Sequence, residues 1–106
     1  MTNNLDAIDH VALSVSNIEE TAAWYQQHFR CGVVYQDETW ALLQFANIRL
    51  ALVLADRHPP HLGFYKDNAA DFGALKPHRD GTASVYVTDP AGNSVEMLAM
   101  ESAPAE

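Results

Sequence analysis

Cysteine is all but missing from this chain. Cys31 stands alone among 106 residues, so no disulfide can close within it, and the cross-linked frameworks of small secreted domains are excluded. No apolar run approaches the roughly 20 residues that a membrane-spanning helix needs, and no N-terminal apolar stretch resembles a secretion signal. The expected setting is therefore a reducing cytoplasm, with no membrane partner. Basic residues are also scarce. Six Lys and Arg stand against fourteen Asp and Glu, a net charge of −8, which argues against binding a phosphate backbone and so against a nucleic-acid partner. Cationic ligands and metal ions suit that balance better. What the chain does have is apolar content, 48% of its residues, enough for one domain across 1–106 with its own core.

The stretch Ile8 to Val15, IDHVALSV, alternates as a β-strand does. Ile8, His10, Ala12 and Ser14 share one face, and Asp9, Val11, Leu13 and Val15 share the other. A single strand histidine is compatible with a hydrogen-bonded structural residue as well as with a ligand. After it, Ser16 or Asn17 can cap a helix, with Glu19 or Glu20 closing a capping box. Ile18, Ala22, Tyr25 and Phe29 recur at helical spacing, and Cys31-Gly32 supplies a stop. Strand-like runs follow at Val33 to Gln36, Thr39 to Phe45 and Ile48 to Ala55. The first half, about 6–55, thus reads β-α-β-β-β.

Two prolines in Asp56 to Pro60 rule out a central strand there, and the segment reads as a linker. Beyond it the same order returns in abbreviated form, about 61–100. HLGFY opens it, a weak helical stretch spans Asn68 to Phe72, and strands are predicted near Ala83 to Thr88 and Ser94 to Met100. IDHVAL and PPHLGF place His10 and His61 at the same position of the opening strand, which an internal duplication explains economically. Setting the closing strand NSVEMLAM against IRLALVLA puts Glu96 opposite Ala51. A carboxylate among apolar residues is expensive to bury without a partner. Two imidazoles and one carboxylate at matching strand positions make a facial set for a divalent ion, with coordination positions left open.

These residues carry a resemblance. IDHVALSVSNIEETAAWY, HLGF and DPAGNSVEML resemble the openings and the close of the paired units of the vicinal oxygen chelate superfamily, which includes glyoxalase I, extradiol dioxygenases and the fosfomycin and bleomycin resistance proteins. The likeness runs from about Asp6 to Ala99. It implies an α+β fold of two βαβββ modules forming a cup-shaped mixed sheet, here with a shortened second helix. About eight short strands in so small a chain leave edges and an apolar rim to cover, so a homodimer is expected. The likeness also implies a divalent metal (Fe, Mn, Zn or Ni) held by His10, His61 and Glu96. Where glyoxalase I has an additional carboxylate on its fourth strand, this chain offers Arg49, Ala51 and Val53. The DPAGN turn reads as scaffold.

The function expected is a small metal-dependent enzyme acting on a small-molecule substrate with two adjacent oxygens, dioxygenase-like or lyase- and isomerase-like. The alternatives are a drug- or metabolite-sequestering protein of the bleomycin-resistance type and a fosfomycin-resistance-like transferase. Tyr86, on a strand face with Ser84 and Thr88, and His78, in the loop KPHRDG, are candidate catalytic groups. Arg79 is the candidate for holding a substrate anion.

Overall fold

A computed structural model describes residues 5–78 and 81–99. In chain order it contains β1 (Ala7–Val15), α1 (Ile18–His28), β2 (Gly32–Gln36), β3 (Trp40–Gln44), β4 (Arg49–Leu54) and β5 (His61–Lys66). A single turn of 3-10 helix (Ala69–Phe72), β6 (Lys76–Pro77), β7 (Ala83–Thr88) and β8 (Ser94–Ala99) complete it. The class is α+β, as expected. Neighbouring strands run β2-β3-β4-β1 in the first half and β5-β8-β7-β6 in the second. The pairing is mixed, because β1 runs parallel to β4 while β2/β3, β3/β4, β6/β7 and β7/β8 are antiparallel. Internal contacts gather the described residues into two compact units, 10–61 and 5–9 with 62–99.

In the unit 10–61, Asn17 is the residue that caps α1. Its side chain accepts from the Glu20 backbone N–H at 2.8 Å, while Glu19 and Glu20 in the first turn complement the helix dipole. The helix ends at His28, and Phe29 closes it by donating its N–H to the Tyr25 carbonyl at 2.9 Å. That is earlier than the Cys31-Gly32 stop expected from the sequence. Gly32 does not adopt a positive φ; it opens β2 instead of capping the helix.

The strands of this unit bury both faces. Ile18 and Ala22 of α1 pack on Ala41, Leu43 and Leu52, while the alternate residues Leu42, Ala51 and Val53 pack with Ala12 on the other side. This two-sided burial explains why LALVLA, from Leu50 to Ala55, reads as a continuous apolar run and not as an alternation. A bulge between Val33 and Tyr35 shifts the β2/β3 register. It places Tyr35 beside the second face, where its ring stacks on Trp40 with centroids 4.7 Å apart. Asp37 secures the intervening turn by accepting from the Tyr35 hydroxyl and from the backbone N–H groups of Thr39 and Trp40. The same bonds, that from Tyr35 foremost, hold its carboxyl below the usual range.

In the unit 5–9 with 62–99, the helix expected over Asn68 to Phe72 is reduced to the 3-10 turn. Gly73 follows at φ 151° with no room for a side chain, since a Cβ there would meet Val85 Cγ2 at 2.9 Å. The loop GALKPHRDGTAS contains a strand that alternation did not reveal. β6 is two residues long, includes a proline and lies at the sheet edge, where a missing N–H is tolerated. Lys76 and Pro77 pair with Ser84 and Ala83. His78 immediately after them donates its N–H to the Thr82 carbonyl at 2.7 Å. At the β7/β8 turn, Asp89 accepts from the N–H groups of Ala91 and Asn93, both at 2.9 Å, and Gly92 takes the positive φ of 92°.

Candidate metal centre

The β1/β4 register sets His10 beside Arg49, Ala12 beside Ala51 and Ser14 beside Val53. His10 therefore shares a face with the Ala12, Leu42, Ala51 and Val53 cluster. His61 is the first residue of β5. Both histidines are 8% exposed, and their Nε2 atoms face each other at 3.2 Å with the rings nearly perpendicular.

The linker prolines explain how His61 is oriented. His61 Nδ1 lies 2.9 Å from the Pro59 carbonyl oxygen, which can only accept. The proton of the neutral ring therefore sits on Nδ1, and Nε2 presents a lone pair. His10 must then donate from its own Nε2 to make the bond between the rings. Two nitrogens bound to one ion at about 2.0–2.1 Å lie about 2.9–3.4 Å apart for right-angle to tetrahedral geometry. The observed 3.2 Å separation falls inside that interval.

Glu96 on β8 is 5% exposed. Its Oε2 accepts from the Ser84 hydroxyl at 2.7 Å, and His78 Nε2 lies 2.7 Å from Ser84 Oγ and 3.3 Å from that same Oε2. Tyr86 stands directly opposite Glu96 in the β7/β8 register. Burial, the Glu96 charge and a hydrogen bond to Glu96 push the Tyr86 phenol well above its ordinary value. It stays protonated and donates to the carboxylate.

Histidine, serine and a carboxylate in contact invite comparison with a hydrolytic triad, but the arrangement is different. In a triad the carboxylate orients the histidine from the ring nitrogen remote from the serine. Here it contacts the serine itself, and Ser84 is only 1% exposed, closed to any substrate.

His10, His61 and Glu96 are all buried, at 8%, 8% and 5% exposure. The donor set, two imidazoles and a carboxylate, is one that could hold a divalent ion.

No protein-family model matches the sequence, and no curated protein matches it. Solved structures do. Methylmalonyl-CoA epimerase from Mycobacterium tuberculosis aligns at a TM-score of 0.67 and 17% identity, over 94% of this chain and 89% of that one. A glyoxalase/bleomycin resistance protein/dioxygenase superfamily member from Vibrio splendidus 12B01 aligns at 0.63 and 14%, over 90% and 99%. The fold is that of the vicinal oxygen chelate proteins. A chain from Legionella pneumophila described as an NAD-dependent benzaldehyde dehydrogenase aligns at 0.65 and 13%, over 85% and 96%. Structures of one fold thus carry different activities, and the site alone must argue the chemistry.

Of the three candidate ligands, His10 and His61 face each other in the unit 10–61, and Glu96 is buried in the other unit of this vicinal oxygen chelate fold. Of the other candidates, Tyr86 and His78 both lie at Glu96, and Arg79 lies outside the described residues. In the sequence Ser84 stands out only as a neighbour of Tyr86 on its strand, and Arg49 only as a departure from glyoxalase I. Strand alternation sets Ser84 and Tyr86 on one face, and register sets Arg49 beside His10.

Proposed function

We propose that the chain is a divalent-metal enzyme of the vicinal oxygen chelate superfamily, acting on a small anionic substrate with two adjacent oxygens. The observation that carries this reading is the pair of buried imidazoles with Nε2 atoms at 3.2 Å, one tautomer being set by the Pro59 carbonyl. Iron, manganese, zinc or nickel would suit the donor set. When bound, the ion supplies Lewis-acid polarisation to the substrate oxygens.

The chain's own residues do the rest. His10 and His61 offer neutral nitrogens, and Glu96 offers one negative charge, so a divalent ion keeps a net charge of about +1 and favours an anion. Arg49, in register with His10, adds a second cation on that face, the kind of group that orients a carboxylate or phosphate. The hydroxyl of Tyr86, kept protonated, is a candidate hydrogen-bond donor to the substrate, and His78 the candidate for handling a proton.

A second reading is favoured by the charge of −8: a protein that sequesters a cationic ligand without a metal. Among the described residues no helix is long and apolar enough to cross a membrane, and the lone Cys31 suits the reducing cytoplasm proposed as its setting.

Metal analysis of protein purified without chelators separates the two readings. The expected result is about one divalent ion per chain, lost in His10→Ala, whose remaining ligands are too few to hold it. Ligand binding that persists undiminished after metal removal would favour sequestration.

A further inference from the structure

Ser84 is among the most deeply buried side chains of the described residues, in company with Leu43 and Leu52. A polar group so placed needs its hydrogen bonds made, and both of its contacts lead to the candidate metal centre. The direction of the chain follows from chemistry alone. An ionised carboxylate only accepts, so the Ser84 hydroxyl donates to Glu96 Oε2 at 2.7 Å. With that hydrogen committed, Ser84 Oγ must accept at its other contact, so His78 Nε2 at 2.7 Å carries a proton and donates it. The same N–H lies 3.3 Å from Oε2. His78 therefore cannot bind an ion through this nitrogen, and it fixes which way the serine hydroxyl points.

We infer that Ser84 is a positioning residue of the metal centre: it locks the rotation of the Glu96 carboxylate, with His78 acting through it, so that Glu96 is pre-set as a ligand. This rests on the metal reading above. The geometry behind it is local to one hairpin and its edge strand. The β6/β7 pairing sets Lys76 against Ser84, and the turn after β6 brings His78 back against Thr82. The β7/β8 register then sets Ser84 diagonally across from Glu96, two pairs from Tyr86 and on the same face. Partners of this kind, which orient a ligand without touching the ion, typically change metal affinity about 10–100-fold.

The experiment is titration of the metal-free full chain with cobalt(II), followed by calorimetry and by the visible absorption of the bound ion, with thermal melting of the metal-free protein alongside. Ser84→Ala should bind cobalt about 10–100-fold more weakly, and Ser84→Thr, which keeps the hydroxyl, should recover most of the loss. His78→Ala, whose wild-type side chain is 30% exposed, should fold whatever the fate of the serine variants. It should show a smaller loss, and adding it to Ser84→Ala should weaken binding no further, because its effect passes through the hydroxyl.

Two results would overturn the inference: wild-type cobalt affinity in Ser84→Ala, with only the metal-free melting lowered, or losses that multiply in the double variant. A wild-type protein that takes up no cobalt would instead overturn the metal reading, and this inference with it.

Discussion

Single side chains decide what this molecule can bind. Arg49 is the sharpest case, because its register with His10 puts a guanidinium on the face that carries the histidine. If it anchors the substrate anion, Arg49→Met should weaken binding of a catecholate-type chelator to the metal-loaded protein by about tenfold or more, the scale of one hydrogen bond to a charged group. Metal content should stay at the wild-type level. Calorimetric titration of both proteins measures this, and equal affinities would remove Arg49 from the site. His10, His61 and Glu96 were marked as candidate ligands by the sequence because a strand has a period of two, so a repeated position is also a repeated direction. Ser84 was not. A serine on a strand has no preferred role, and only the two 2.7 Å contacts give it one.

At the scale of elements, the sequence was most informative where a pattern was long. The alternation of β1 and the apolar stripe of α1 were both readable, since each runs over several turns or pleats. β6 was invisible, being two residues with a proline. The abbreviated second helix lacked enough residues to show a period at all. The core between α1 and the strands makes a plain prediction. Leu52 is fully buried against Ile18, Ala22 and Leu43, so Leu52→Ala should cost about 2–5 kcal/mol through lost transfer energy and the cavity left behind. Denaturant unfolding would register this as a lower midpoint with an unchanged slope. The β7/β8 turn makes another. Gly92 sits at φ 92°, a region costing an L-residue roughly 1–2 kcal/mol. Gly92→Ala should therefore destabilise even though open space surrounds the site of the added methyl.

For the whole molecule, the sheet ends matter. β2 is an edge strand with Val33 and Val34 exposed, and a bare edge with apolar side chains is a surface that proteins tend to cover. We expect a homodimer, so light scattering at micromolar concentration should return about twice the chain mass of 11.7 kDa. A single-chain mass would count against it. The residues that open and close the unit 10–61 are the two histidines themselves, and this has a consequence for the protein's synthesis. His61, the later of the two, leaves the ribosome 35 residues before Glu96 does, an interval of about 2–7 s at common translation rates. A nascent chain would then hold two nitrogens without the carboxylate or its serine. Under the proposed reading, ion loading waits for the last hairpin, and the unfinished polypeptide competes poorly for cellular metal.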